Sequence, residues 1–499
     1  MSDNMNVPIR MLVFTSPDCY ACPDVERIVH KHVGIFYSDM CHISTIDVID
    51  KPKIAEKYNI RSLPTVMIDE EIVLQGLVTE SDIRDLLWQR VTGSIMDRQK
   101  TFDARKETLL TISKNSFDSI MNEEFIRPNI GDYIHVGVMQ QMMVSLVALD
   151  KLVPRLLYQA GRDVGLYGFG TYLMITLNPN IGTEFRAKER FEEVIKGLVK
   201  YYSDNEIINI PMKLAESAEI IELEGNKAVL RLYGLASASG APYVGEPLCH
   251  FSAGEMSGII QVLTGRKEAI VQEVKCLGLG DEFCEFTIEV SDEPITKDQL
   301  EDQEESYIIE DRNQHFQGIL HDISTRLHES FISPKDVFNR GNIGNEVHFT
   351  KLQQAIVNLK MTDPFSGALL YAAGMQLGIF GPGKDILQRF LEDENFSWPL
   401  TLDQALFIMN KFFHFSMIQA AKERADVKII EENGKQKIRV FECAMSSGAK
   451  DSGTTFCDFM AGYIAGRIQI LTNKDCIVNE TKCHGLGDKF CEFEISFIE

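Results

Sequence analysis

Two short stretches of this chain have almost the same sequence. Residues 273–284 read EVKCLGLGDEFC and residues 480–491 read ETKCHGLGDKFC, so both follow the pattern E-x2-C-x7-C. A single cysteine precedes each stretch, Cys249 and Cys457, at 24 and 23 residues from the glutamate. Three thiols and one carboxylate at matched spacing predict two metal sites inside a duplicated domain.

Each copy of the pattern supplies four side chains of the types that zinc prefers. Zinc takes tetrahedral thiolate, imidazole and carboxylate ligands, and four protein ligands leave no position open for a substrate. We therefore expect two structural zinc ions rather than catalytic ones; a duplicated thiol cluster without metal is the alternative. The predicted ligands are Cys249, Glu273, Cys276 and Cys284 in the first set, and Cys457, Glu480, Cys483 and Cys491 in the second.

Three further cysteines fall outside these sets and outside the N-terminal motif described below. Cys41, Cys443 and Cys476 are isolated in sequence, and as single buried thiols they are expected to be inert packing residues. His250 and His484 each directly follow a ligand cysteine. We interpret them as neighbours of the sites rather than as additional ligands.

The duplication extends well beyond the metal motif. The two copies are expected over residues 126–290 and 331–499, each combining helices with an antiparallel sheet. Glycine-rich segments at 165–170 and 378–383 lack the strand–turn–helix context of a dinucleotide site and are interpreted as loops. The repeated stretches are RPNIG and RGNIG (127–131 and 340–344), LLYQAG and LLYAAG (156–161 and 369–374), and LASASG and CAMSSG (235–240 and 443–448).

These residues resemble the 4-vinyl reductase (4VR) domain, a small-molecule-binding fold shared with sensor domains of phenol-responsive bacterial activators. The resemblance rests on the LLYxAG stretches, the lone cysteines and the pattern E-x2-C-x3-G-D-x2-C in both copies. It implies structural zinc on these ligands, a pocket for a small hydrophobic or aromatic ligand, and intramolecular pairing of the two copies. Residues lining that pocket stay unassigned, because methionine and aromatic stripes at helical spacing are interpreted as core.

Residues 8–95 are predicted to form a separate α/β unit with the order strand, helix, strand, helix, hairpin and helix. Cys19-x-x-Cys22 stands at the first strand-to-helix junction, where unpaired N–H groups and the helix dipole stabilise a thiolate. Cys19 is the expected attacking thiol and Cys22 the resolving one. Half a metal site, or an inactive remnant of the fold, is the alternative interpretation.

This unit resembles a thioredoxin- or glutaredoxin-like domain, through FTSPDCYACP at residues 14–23 and LPT at residues 63–65. The resemblance implies that Pro64 is a cis-proline facing the CxxC motif. The chain departs from thioredoxin at Val13, where that family usually carries a buried Asp, and it lacks a Trp before the motif. Both departures favour the glutaredoxin-like side.

Composition excludes several function classes. The net charge is −23, and clustered Lys and Arg for phosphate contacts are missing, which argues against nucleic-acid binding. We find no apolar run long enough for a membrane span, no secretory signal, and no flavin or nicotinamide motif. Eleven cysteines without an export signal favour metal or redox use in a reducing compartment, so we expect a cytoplasmic protein.

The expected function is a cytosolic redox-linked sensor or adaptor. A glutaredoxin-like domain would carry the dithiol, and two zinc-stabilised 4VR domains would bind a small hydrophobic ligand; a protein thiol is a possible partner. A connector is expected at 96–125 and an acidic linker at 291–330. The alternatives are a thiol–disulfide oxidoreductase whose 4VR pair recruits its substrate, and a non-catalytic scaffold.

Overall fold

The chain divides into two compact units, 1–102 and 103–499. Within them, the computed structural model describes residues 9–36, 41–68, 71–76, 98–122, 125–150, 152–168, 191–203, 212–292, 312–332, 338–341, 343–362, 366–381, 391–392, 394–416, 427–432, 434–449 and 452–498. Among the helices of these ranges, none has both the length and the apolarity that crossing a membrane requires.

The first unit is an α/β domain built on one four-stranded sheet. Its elements are β1 (Ile9–Thr15), α1 (Cys22–Phe36), β2 (Cys41–Asp47), α2 (Pro52–Lys57), β3 (Thr65–Ile68) and β4 (Glu71–Gln75). The strand order is β2-β1-β3-β4, with β2 parallel to β1 and the other pairs antiparallel. Leu12, Phe14, Ile46 and Met67 form a core on one face of the sheet. This is the predicted thioredoxin-like topology; the closing helix expected at 80–89 lies outside the described residues.

The second unit contains the two copies, each with helices followed by an antiparallel sheet. The first copy contains α3 (Arg98–Asn122), β5 (Tyr133–His135), α4 (Val136–Leu149), α5 (Val153–Asp163), α6 (Phe191–Ser203), β6 (Ser217–Glu224), β7 (Lys227–Tyr233), α7 (His250–Thr264), β8 (Glu268–Lys275) and β9 (Cys284–Ser291). The second contains α8 (Arg312–Ile332), β10 (Glu346–His348), α9 (Thr350–Thr362), α10 (Ser366–Phe380), α11 (Leu402–Ser416), β11 (Val427–Glu432), β12 (Lys435–Val440), α12 (Asp458–Thr472), β13 (Cys476–Lys482) and β14 (Cys491–Phe497).

The two sheets have the same strand order, β6-β7-β9-β8 and β11-β12-β14-β13. Their hairpins turn at glycines with positive φ, Gly225 at 58° and Gly434 at 75°, as the Gly-Asn and Asn-Gly signals predict. Alternate residues of each strand are buried against the helices, for example Phe286 and Ile288 on β9. The predicted α+β architecture with an internal repeat is therefore present.

The interpretation of the glycine-rich segments as loops is wrong for their described residues. Val164–Gly168 continues α5 as a π-helical turn, and α10 extends to Phe380. A Cβ at Gly161 would overlap the carbonyl oxygen of Phe251, and a Cβ at Gly254 would overlap that of Tyr158. These glycines let α5 and α7 approach until their backbones touch; the second copy repeats the contact between α10 and α12 at Gly374, Gly378, Gly462 and Gly466.

The two copies contact each other along one continuous core. β5 and β10 pair antiparallel, with Ile134 opposite Val347, so each copy contributes one strand to a shared two-stranded sheet. Both segments expected as connector and linker take part. Leu109 of α3 and Ile323 of α8 are completely buried in this core.

Candidate metal centres and dithiol site

The CxxC segment joins β1 to α1 in the first unit. Cys22 is the first residue of α1 and is 2% exposed, whereas the Cys19 side chain is half-buried. The two are joined by a disulfide, and Tyr20 between them is 98% exposed. A buried and an accessible sulfur in one pair match the roles of resolving and attacking thiol.

Pro64 lies at the same end of the sheet as this segment. It precedes β3, whose Thr65 pairs with Phe14 near the end of β1. The Leu63–Pro64 peptide bond is cis and the proline is buried. The structure thus brings together the three residues that the sequence assigns to the dithiol site.

The first metal centre is assembled by one helix start and two strands. Cys249 immediately precedes α7, Glu273 lies on β8, and Cys284 opens β9. One ligand atom from each of Cys249, Glu273, Cys276 and Cys284 lies within 4.8 Å of every other. The predicted first ligand set is therefore one spatial cluster.

The Cys-x7-Cys loop explains the repeated Gly-Asp pair. Gly280 has a φ of 88°, a left-handed conformation that ends the short helix after Cys276. The Asp281 carboxylate then accepts the backbone N–H of Cys276 at 2.9 Å and closes the turn. In the second copy Gly487 and Asp488 do the same around Cys483, with φ of 83° and a 3.0 Å hydrogen bond.

The glutamate of the first centre has one oxygen in use and one to spare. Glu273 Oε2 accepts the backbone N–H of Cys249 at 2.9 Å, while buried Oε1 has no hydrogen-bond partner. The thiols are close-packed, with Cys249 Sγ 3.6 Å from Cys284 Sγ. A buried carboxylate oxygen without a partner beside three thiols is a donor set that suits a bound cation.

Electrostatics at this centre favours a cation as well. Burial raises the pKa of the Cys249 thiol and of the Glu273 carboxyl well above their usual values. At Cys276 burial also disfavours the charge, but hydrogen bonds from the thiols of Cys249 and Cys284 lower its pKa well below the usual value. Negative charge therefore collects on Cys276, and a divalent cation would stabilise all four groups in their ionised forms.

The second centre repeats this arrangement. Cys457, Glu480, Cys483 and Cys491 form the second cluster within 4.8 Å. Glu480 Oε2 accepts the Cys457 N–H at 2.8 Å, and its buried Oε1 again has no hydrogen-bond partner. Burial raises the pKa of Glu480 to about 10, while hydrogen bonding from Cys457 lowers the pKa of Cys483 to about 2.

Two residues near the second centre differ from their sequence interpretation. Cys443, predicted to be inert, lies with its Sγ 3.5 Å from that of Cys457. His484 Nδ1 lies 3.4 Å from Cys491 Sγ, so this ring touches a predicted ligand. The repeat offers the missed signal, because CAMSSG aligns Cys443 with Leu235, and both residues stand 14 positions before the lone cysteine of their copy.

The remaining candidates have structural roles. Cys476 is buried with its thiol 3.7 Å from the Ala465 carbonyl, which agrees with packing, and the Cys41 side chain lies outside the described residues. Tyr158 of the LLY motif accepts the Val271 N–H at 3.4 Å and so joins helix to sheet. Burial lowers the pKa of His250 to about 4, against the opposing charge of Cys276.

Comparison with protein families identifies these parts. A thioredoxin domain model matches residues 8–88, and the 4VR domain model matches residues 229–290 and again 437–497. The second model is that of the family which the repeated sequence resembles, and its two matches contain the E-x2-C-x7-C motif and the lone cysteine of each copy. The chain therefore contains one thioredoxin-like domain and two 4VR domains.

Curated relatives cover separate parts of the chain. An uncharacterized protein of Methanocaldococcus jannaschii is 42% identical over 73 residues, 15% of this chain and 45% of that protein. A second uncharacterized protein of the same organism is 26% identical over 187 residues, 38% of this chain and 94% of that protein. A thioredoxin of that organism is 28% identical over 83 residues, 17% of this chain and 96% of the thioredoxin. The chain thus spans less than half the length of the first of these relatives.

Proposed function

We propose that the protein is a redox-linked sensor or adaptor, in which a thioredoxin-like dithiol acts on a protein thiol and a tandem 4VR module binds a small hydrophobic or aromatic ligand. One observation carries the redox part. Among the cysteine side chains that the structure describes, Cys19 alone is more than slightly exposed. Thiol–disulfide exchange needs an accessible sulfur, so Cys19 is the proposed attacking thiol, Cys22 the resolving one, and Pro64 the residue facing them.

The 4VR clusters are proposed to hold two structural zinc ions. The ligand chemistry supports this, since three thiolates and a carboxylate suit tetrahedral zinc and leave no open position. Each ion would tie a helix start to two strand ends, at Cys249 and β8–β9 in the first copy and at Cys457 and β13–β14 in the second. A structural ion of this kind contributes to folding rather than to a reaction.

The ligand-binding part of the proposal rests on the 4VR family itself. The two copies share one core, so a ligand in either copy would act on a module that responds as a unit. The proposed boundaries are 8–95 for the thioredoxin-like domain, 126–290 and 331–499 for the 4VR domains, 96–125 for the connector and 291–330 for the linker. The cytoplasm is the proposed location, because a reducing compartment keeps clustered thiols free for metal.

An enzyme is the second candidate. The cis-proline beside a disulfide-bonded CxxC favours a thiol–disulfide oxidoreductase whose 4VR pair recruits the substrate. Reduction of insulin by the wild-type protein with a dithiol donor separates the two functions. Turnover that disappears in a Cys19→Ser variant supports the enzyme, and absence of turnover supports the sensor.

Trapping tests the redox function itself. In a Cys22→Ser variant the resolving thiol is absent, so mixed disulfides formed by Cys19 with partner proteins should persist and should dissociate on reduction. A Cys19→Ser variant is the matched control and should form none. No adducts with either variant, in cells that express them at wild-type level, would contradict a redox role and favour a scaffold.

A further inference from the structure

The two metal centres differ at the start of one turn. In the second copy the turn after β12 begins with buried Cys443, and in the first copy Leu235 occupies the same position. The backbones agree. Ser446 and Ser447 N–H groups donate to the Cys443 carbonyl at 3.2 and 2.9 Å, and the corresponding residues of the first copy donate to the Leu235 carbonyl at 2.9 and 2.8 Å. The difference therefore lies in the side chain, and it adds a thiol to one centre.

The added thiol fits the spacing of a thiolate cluster. Cys457 Sγ lies 3.5 Å from Cys443 Sγ and 3.5 Å from Cys491 Sγ, and Cys491 lies 4.0 Å from Cys483. Tetrahedral zinc with Zn–S bonds of about 2.3 Å separates its sulfurs by about 3.8 Å. Cys443 is not among the four residues whose ligand atoms lie within 4.8 Å of one another, so a tetrahedral ion would take it in exchange for Glu480 rather than as a fifth ligand.

Two more differences accumulate on the same sulfurs. Ser446 Oγ lies 3.0 Å from Cys491 Sγ and 3.2 Å from His484 Nδ1, and that ring touches Cys491 at 3.4 Å. The first copy has Ala238 and Leu277 at these positions, and its hydroxyl contact comes instead from Ser237, 3.1 Å from Cys249. Hydroxyl and imidazole groups beside Cys491 can donate hydrogen bonds to a thiolate, which supports a centre with more anionic sulfur.

We propose that the second centre binds its metal through four thiolates, Cys443, Cys457, Cys483 and Cys491, whereas the first uses three thiolates and Glu273. This rests on the proposed metal binding. Glu480 then keeps its hydrogen bond to the Cys457 N–H and is dispensable as a ligand. The second centre is accordingly the more thiophilic of the two and favours soft divalent ions.

Cobalt(II) bound to the reduced chain is the probe, because its sulfur-to-metal absorbance reports bound thiolates. Glu480→Gln should retain two chelator-resistant ions per chain, while Glu273→Gln, the same change in the first centre, should retain one. Cys443→Ser should keep two ions but lose one thiolate's share of the absorbance, and combining it with Glu480→Gln should release the second ion. Leu235→Cys should restore the ion to Glu273→Gln.

The outcomes separate this inference from the metal proposal. Wild-type protein that binds no cobalt would end both. Two ions in the wild type, with Glu480→Gln and Glu273→Gln losing one ion equally, would overturn only the four-thiolate assignment. Unchanged absorbance in Cys443→Ser would overturn it too. Far-ultraviolet circular dichroism of each variant shows whether an ion was lost through unfolding rather than through its ligand.

Discussion

Lys351 of the second copy forms an ion pair with Glu255 of the first, and both side chains are almost completely buried, at 4% and 0% exposure. The hydroxyls of Tyr201 and Tyr202 lie 3.4 and 3.3 Å from the same carboxylate. Glu255 is on α7, the helix that begins beside Cys249. Through the repeat, Glu255 corresponds to Tyr463 and Lys351 to Val138, so the pair exists only once. It distinguishes the two copies at their contact.

Replacing Lys351 by Met should therefore destabilise the tandem by about 3–5 kcal/mol, because Glu255 keeps a buried charge without its partner. A Lys351→Met/Glu255→Gln double variant should recover much of that loss. Lys196→Met, which removes the exposed pair with Glu192, is the control and should change stability by less than about 1 kcal/mol. Urea unfolding followed by circular dichroism measures all three; equal losses for the two lysine variants would contradict the role of burial.

The helix crossing makes a second prediction. A Cβ at Gly254 would overlap the Tyr158 carbonyl, whereas a Cβ at Gly197 of α6 meets nothing within 4 Å. Gly254→Ala should cost about 1–3 kcal/mol through overpacking, and Gly197→Ala should stabilise by about 0.5–1 kcal/mol through helix propensity. Thermal unfolding of both variants checks this. A Gly254→Ala protein as stable as wild type would mean that α5 and α7 can separate at no cost.

That crossing shows where sequence reasoning reached its limit. The CxxC junction and the hairpins are local patterns, and each was found where predicted. Glycines at 165 and 378 support a loop as readily as a close helix contact, and only the glycines of the partner helix, Gly258 and Gly466, distinguish the two. Those partners are far along the chain, so no local pattern revealed them.

The metal centres show the same limit in another form. The eight predicted ligands cluster because two copies with one spacing left little freedom. Cys443 was misinterpreted because the first copy has Leu235 there, and comparing copies finds what they share rather than what one adds. Its contact with Cys457 depends on the turn after β12, which brings the side chain back toward the start of α12.

Acid should weaken the junction between the copies. Burial lowers the pKa of His348 to about 4; Asp132 opposes this and Arg127 reinforces it. Between pH 6.5 and about 4 the unfolded chain binds a proton at this residue that the folded chain does not, so stability falls as pH falls through that window. The loss is up to about 3 kcal/mol.

A His348→Gln variant isolates this term. The difference between its stability at about pH 7 and at about pH 4.5 should be smaller than in wild type, and His321→Gln, at an exposed position, should match wild type. Urea midpoints at the two pH values provide the measurement. If both variants lose stability with acid as wild type does, His348 is not the group that titrates.

Metal uptake should release protons. Burial raises the pKa of Cys249 and Glu273 well above their usual values, so at neutral pH these groups hold protons that a bound cation must displace. Zinc affinity should therefore fall as pH decreases, and the heat of zinc binding should vary with the ionisation enthalpy of the buffer. Calorimetry in two buffers at one pH gives the number of protons released. In Glu273→Gln the ligand oxygen cannot carry a proton, so fewer should be released; an unchanged number would mean that Glu273 is already ionised before the metal binds.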